Sequence, residues 1–285
     1  MPSEWIHRWR FPLVWRIAIV AAGWLILISL LHYAFNMERD SKRIVRLGYM
    51  PVISNLAAPL LDYASRDQGD VRFEALKFSS FAEMGEALRN DLIEAAFIIG
   101  PLAIVLRQQG EDVKVVYIGN RHESTLVARK DLQVTTLNDL IGKTIAVPLR
   151  YSGHNLSIRQ SMEKLGLTGK IKVVEMNPPD MAASLSAGSL DAYYVGEPFA
   201  AKTLKSGDAS LVYYVEAVWP NFICNLTLVK QKFIQEEPSI VKLLVEGAAR
   251  SGVWAAQNTD EAARIASQYW NQSAELVQYA LSTPA

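Results

Sequence analysis

His154, Glu197 and His122 are the residues whose type and placement can do chemistry. His154 falls in the turn Tyr151-Ser152-Gly153-His154-Asn155, between an apolar run ending at Pro148 and a helical pattern reaching Leu165. Ser152 can cap that helix, and Gly153 allows close backbone approach. A histidine at a helix start can donate from its ring to an oxyanion, next to free N–H groups with partial positive charge. Alternatively, Ser152 and Asn155 only cap and His154 is a surface residue. Glu197 opens another helix after Gly196. A carboxylate suits a helix N-terminus in itself; facing a gap, it can also accept from a ligand amine or help hold a cation. Asn120-Arg121-His122-Glu123-Ser124 is a charged turn where the chain passes between two predicted lobes, a place for hinges and ligand contacts. Tyr193, Tyr194 and Trp219 can stack on a ligand or fill a core.

Catalytic patterns are sparse. His-x-x-x-His, Gly-x-Ser-x-Gly and Gly-x-x-x-x-Gly-Lys-Ser/Thr are all absent, which argues against metalloprotease, hydrolase and nucleotide-hydrolase chemistry. The single Cys224 excludes an intramolecular disulfide and a cysteine-based zinc site. No metal and no cofactor are expected. Lys+Arg 29 balance Asp+Glu 29 and no basic stripe is visible, so nucleic acid is not an expected partner.

The elements that must position these residues recur. LRNDLIEAAFIIGPLA (Leu88 to Ala103) and LSAGSLDAYYVGEPFA (Leu185 to Ala200) align so that Glu94 meets Asp191, Phe97 meets Tyr194 and Pro101 meets Pro198. In each, a helix ends, a short apolar strand follows, and a turn at Gly100 or Gly196-Glu197 leads into a proline suited to the first helical position. Two such α/β lobes facing each other make a small-ligand clamp. Around these units, strands at Ile44 to Met50, Val71 to Phe78, Ile93 to Ile99 and Val113 to Gly119 alternate with helices, implying parallel pairing. Ser54 or Asn55 can cap the first of these helices, and Ser80 with Glu83 forms a capping-box pattern. A second alternating set follows Leu126, and Pro220 to Val229 reads as the return path. The helical remainder, with Ile240, Leu244, Ala248, Ile265 and Tyr269 at helical spacing, is expected to pack on the first lobe.

At the other end, Arg8, Arg10 and Arg16 lead into an apolar run, Ile17 to Leu31, extended to Phe35 and flanked by Trp15 and Tyr33. It is about long enough to span a bilayer. His32-Tyr33-Ala34-Phe35 fits a small-x-small cleavage site poorly, and no lipid-attachment cysteine follows, so an uncleaved anchor is expected. Arg39, Lys42 and Arg43 nearly balance the near-side charges and leave its orientation unset by the positive-inside rule. The expected organisation is 1–43 as cytoplasmic tip, membrane anchor and linker, 44–124 with 221–285 as lobe 1, and 125–220 as lobe 2.

GKTIAVPLRYSGHNLSIRQSMEKLGL followed by PPDMAASLSAGSLDAYYVGEPFA resembles the periplasmic solute-binding proteins of nitrate, bicarbonate, sulfonate and taurine ABC importers. The resemblance extends over Ile44 to Ala285; the His-Asn-Leu helix opening and the Gly-Glu-Pro turn look most like the nitrate and bicarbonate branch. It implies an α/β, two-lobed periplasmic-binding-protein type II fold, here preceded by the N-terminal transmembrane helix. It implies a binding protein rather than an enzyme, a domain in the periplasm, and ABC permease and ATPase subunits as partners; the inner-membrane anchor expected from the residues departs from the family's usual cleaved or lipidated form. It also implies ligand-binding positions at Ser54, Asn55, Gly100, Pro101, His122, His154 and Glu197. One departure stands out: nitrate-type proteins carry a lysine near the return segment, and Phe222-Ile223-Cys224-Asn225 has none. Rival readings are an enzyme resembling the thiamine-pyrimidine synthases, which share the architecture, and a sensory ligand-binding domain.

Overall fold

The computed structural model describes residues 12–37, 42–119 and 121–282. Arg8, Arg10, Arg39 and Asn120 lie outside these. The first segment is one helix, α1 (Leu13–Met37). Its stretch Leu13–Ala34, 22 residues of mean hydropathy 2.2, is exposed throughout. At about 1.5 Å per residue it reaches the roughly 30 Å of a bilayer core.

From Arg43 the chain alternates. β1 (Arg43–Tyr49), α2 (Ala57–Ser65), β2 (Val71–Lys77), α3 (Phe81–Arg89), β3 (Ala95–Ile99), α4 (Gly100–Gln108) and β4 (Val113–Tyr117) come first. The chain then crosses into β5 (Ser124–Arg129), β6 (Thr144–Val147), α5 (Gly153–Lys164), β7 (Lys172–Glu175), α6 (Pro178–Ser186), β8 (Ala192–Gly196), α7 (Phe199–Ser206) and β9 (Ala209–Tyr214). It crosses back to β10 (Asn225–Lys230) and ends in α8 (Gln231–Glu236), α9 (Pro238–Gln257), α10 (Thr259–Trp270) and α11 (Ala274–Ser282).

These strands make two five-stranded sheets with the same plan, β2-β1-β3-β10-β4 and β7-β6-β8-β5-β9. In each, a central strand (β3 or β8) pairs parallel with one neighbour and antiparallel with the strand on its other side (β10 or β5). The central strands read AAFII and AYYVG and are buried along their whole length, as expected for strands covered on both faces. Helix starts follow local chemistry. Ser80 Oγ accepts from the Glu83 N–H at 3.5 Å, Ser152 Oγ accepts from the Asn155 N–H at 3.1 Å, and prolines occupy the first turns of α4, α6 and α9. Ser124 already belongs to β5 of lobe 2, one residue before the position read from sequence.

The C-terminal helices divide their allegiance. α9 and α10 pack on α2 of lobe 1. Asn271, at φ 57°, turns the chain so that α11 also meets α7 of lobe 2, where Lys205 Nζ lies 2.6 Å from Glu275 Oε1 and 5.4 Å from the Tyr279 ring centre. α11 thus packs on lobe 1, where Val277 and Ala280 join the core around Tyr49 and Ile53, and touches lobe 2 as well. The left-handed turn that redirects it carries an Asn, one of the few non-glycine residues that tolerate that conformation.

Candidate functional site

The two crossings run side by side and are bonded to each other. The His122 N–H donates to Phe222 O at 2.9 Å, and the Asn221 N–H donates to His122 Nε2 at 2.9 Å. Nε2 is thus the acceptor of a neutral ring whose proton sits on Nδ1, 3.5 Å from Glu216 Oε1. The Arg121 guanidinium donates to Asn221 O at 3.1 Å. His122, Glu123 and Asn221 all hold positive φ (70°, 56° and 61°), a cost of order 1 kcal/mol or more each that the surrounding bonds must offset. His122 therefore joins the crossings, and its imidazole is spent on them.

Between the lobes lies a polar nucleus, buried except at Ser54, which is half-buried and lines a cavity of about 280 Å³. Asn225 Nδ2 donates to Ser54 Oγ at 2.7 Å and lies 3.6 Å from Cys224 Sγ. Cys224 Sγ is 4.0 Å from His154 Nε2, which meets Ser124 Oγ at 2.9 Å. The Ser124 hydroxyl donates to His122 O at 3.4 Å, so His154 Nε2 is the donor to Ser124 and Nδ1 keeps its lone pair. That Nδ1 and Asn225 Oδ1 are both buried and have no hydrogen-bond partner. Burial lowers the His154 pKa to about 3 and raises the Cys224 thiol to about 11, so the ring is neutral and the thiol is not a ready nucleophile. Aromatic rings wall the histidine: Tyr194 stands edge-on at 5.1 Å and Phe222 at 5.7 Å.

Glu197 is buried next to this nucleus but faces its own lobe. Thr125 Oγ1 donates to one carboxylate oxygen at 2.6 Å, and the Ala201 N–H donates to the other at 2.8 Å, capping α7 from inside. Burial raises its pKa, and the two donors partly offset that. Its main chain spans the gap: Glu197 O accepts from the Ile53 N–H of lobe 1 at 2.8 Å, while its N–H donates to Glu123 O at 2.9 Å. Asn55 donates from Nδ2 within lobe 1, to Met50 O and Phe97 O at 3.1 Å each, and its buried Oδ1 has no partner. Gly100 and Pro101 open α4 onto an apolar cavity of about 620 Å³ that Gly153, Trp219 and Phe222 also line.

Of the positions inferred from sequence, then, Ser54 and His154 meet in the nucleus, with the His122 carbonyl at its edge. Gly100 and Pro101 open onto the neighbouring cavity, while the side chains of Asn55 and Glu197 turn inward. Ser124, Thr125, Cys224 and Asn225 complete the site. Ser124, Thr125 and Asn225 are the first residues of β5 and β10, and Cys224 immediately precedes β10, a placement set by strand pairing and invisible to local periodicity. Among the described residues no three His, Cys, Asp or Glu gather as a metal cage, and no Lys or Arg is buried.

Residues 39–269 match the NMT1-like family. The chain belongs to that family. The taurine-binding periplasmic protein of Escherichia coli (strain K12) is 26% identical over 203 residues, 66% of this chain and 62% of that protein. The chain thus spans less than two thirds of this relative's length. Two solved structures share the fold. The alkanesulfonate-binding protein SsuA from Xanthomonas axonopodis pv. citri, bound to MOPS, superposes with a TM-score of 0.73 at 18% identity, covering 85% of this chain and 84% of that one. The periplasmic nitrate-binding protein NrtA from Synechocystis PCC 6803 gives 0.74 at 18% identity, over 82% and 69%. These relatives are binding proteins, and the fold is the two-lobed periplasmic-binding-protein type expected from sequence.

Proposed function

We propose that residues 43–285 are the extracytoplasmic solute receptor of an ABC importer, with α1 as an uncleaved tether and a permease and ATPase as partners. The proposed ligand is a small zwitterion or anion of the taurine and sulfonate class. The observation that carries this reading is the nucleus itself: two doubly connected lobes enclose polar atoms, two of which, His154 Nδ1 and Asn225 Oδ1, have no partner. Buried acceptors without donors are costly, and a ligand N–H group relieves them. The helix starts of α4 and α5 at the same junction favour a negative group. An amine and a sulfonate on one short chain meet both demands where no lysine or arginine is buried. The relationship to a taurine-binding protein supports this chemistry, as does the MOPS-bound alkanesulfonate relative. Ligand entry requires the lobes to part about the paired crossings.

Calorimetric titration of the chain with taurine, ethanesulfonate, nitrate and bicarbonate tests the reading. Taurine should bind at least tenfold more tightly than ethanesulfonate, which lacks the amine. Equal affinity for the two removes the role given to the unpartnered acceptors, and no binding of any of the four removes the ligand class. Intact-mass measurement of membrane-extracted protein tests the tether, and a mature terminus near Asn36 would make α1 a removable signal.

A further inference from the structure

We propose that a second cavity between the lobes, beside the α10–α11 turn, is a binding site for an oxyanion carried on an apolar body, gripped by one lysine from each lobe. The cavity has a volume of about 570 Å³, within the range of small-ligand sites. Lobe 1 contributes Lys77 and Phe78 from the end of β2, lobe 2 contributes Phe199 and Lys202 from α7, and the turn contributes Trp270 and Gln272. No Asp or Glu lines it. None of the nucleus residues Ser54, Ser124, His154, Cys224 and Asn225 lines it either, so it is a separate site.

Three observations point to an anion. Lys77 and Lys202 are exposed and form no ion pair among the described residues, unlike Lys205 one turn further along α7, which pairs with Glu275. Trp270 is only 3% exposed, yet its Nε1–H has no acceptor. An indole N–H is a donor only, so the partner it lacks is an acceptor, which an oxyanion supplies. Phe78, Phe199 and Pro179 give an apolar wall for a carbon body. The buried Gln272 Oε1, also without a partner, leaves room for one ligand donor on the same wall. Sulfonate, carboxylate and phosphate-ester heads share the required chemistry. Because the two lysines belong to different lobes, an anion bridging them favours the closed arrangement, and the cavity acts as a latch as well as a site.

The test uses the full chain in nanodiscs with 5-fluorotryptophan in place of tryptophan, read by ¹⁹F NMR. The Trp270 signal is identified as the one absent from Trp270→Phe. Benzenesulfonate is the probe and benzyl alcohol its uncharged control. The Trp270 signal should move saturably with benzenesulfonate and stay in place with benzyl alcohol. In the double variant Lys77→Ala, Lys202→Ala the midpoint should rise roughly tenfold, about threefold for each exposed charge contact. A Trp270 signal that does not respond to benzenesulfonate overturns the proposal, as does an unchanged midpoint in the double variant. A midpoint that moves in His154→Gln but not in the lysine variants places the anion in the nucleus. That result overturns this site and leaves the receptor reading standing.

Discussion

The two strand–turn–helix units share a frame and use it in opposite ways. In the first, Glu94 Oε2 accepts from the Arg46 N–H of β1 at 2.8 Å; in the second, Asp191 Oδ2 accepts from the Thr144 N–H of β6 at 2.9 Å. The acid aligned between the repeats thus does the same work in both, closing the first free N–H beside the central strand. Six residues later, at Gly100 and Glu197, the units diverge. Lobe 1 passes from β3 straight into α4 at Gly100 and leaves that helix start open to a cavity. Lobe 2 inserts Glu197, whose carboxylate fills the start of α7. A carboxylate already seated there removes the anion-binding capacity that the repeat would otherwise double. Likeness in sequence therefore reports the scaffold, while the two helix starts part company where Gly100 aligns with Glu197.

The largest expected effect lies on the lobe 2 side of the nucleus. The His154 pKa falls from 6.5 to about 3 on burial. Its contribution is present in full above about pH 6.5 and is lost as pH falls toward 3, on the order of 4 kcal/mol over the whole window. Ser54 and Asn225, which face it from lobe 1, do not titrate. Urea unfolding of the detergent-solubilised chain from pH 7 to pH 4 should show this acid loss. His154→Gln, which keeps a donor to Ser124, should flatten it; an equally steep acid limb in that variant would assign the loss elsewhere.

Next comes the turn pair. Glu197→Ala should cost about 2–3 kcal/mol, because Thr125 and the Ala201 N–H lose a buried acceptor. Gly100→Ala at the equivalent turn should stay within about 0.5 kcal/mol, since a Cβ there makes ordinary contact with Leu226 at 3.6 Å. Similar costs for the two would erase the asymmetry. Glu197 also titrates with the opposite sign to His154. Its raised pKa means that stability present below the unfolded-state value, about 4.3, is lost as pH rises through the folded-state value. Glu197→Gln should remove that slope.

Gly153→Ala should cost about 1–3 kcal/mol, because its Cβ would lie 2.6 Å from the buried Phe222 ring on the return crossing. Thermal melting should register it, and a melting point equal to the parent's would show that the crossing yields freely. Smallest and most diagnostic of shared design are Glu94→Ala and Asp191→Ala. Each should cost about 1 kcal/mol, and the two should agree within a few tenths. Unequal costs would mean that the aligned acids are alike in position only.

The alternation of buried runs and amphipathic stretches makes the strands readable from sequence, because apolar periodicity is a local signal. The repeat carried Glu94 and Asp191 to equivalent places for the same reason. The expected parallel pairing fails for β4 and β9, which pair antiparallel with the crossing strands β10 and β5. His122 sat in a recognised inter-lobe passage, but nothing local says that its ring accepts from Asn221, 99 positions away. Glu197 as a helix-start acid was readable; its partner Thr125 was not, since that contact depends on β5 pairing beside β8. In sequence Cys224 and Asn225 stand out only as a lone cysteine and as part of a stretch without a lysine. Their place in the nucleus follows from β10 entering the sheet next to β3, a matter of topology.

That entry of β10 also fixes an order of assembly. Every strand of the lobe 2 sheet lies between Ser124 and Tyr214, so a chain made from its N-terminus can complete that sheet while the rest is still emerging. Lobe 1 cannot. β3 and β4 are neighbours only through β10, and until residues 225–230 arrive β3 presents a bare apolar edge and β4 has no strand to join. At ordinary synthesis rates this lasts on the order of 10 s. An open edge of AAFII is a template for pairing with other chains, so the half of the molecule that begins first is the half that needs shelter longest.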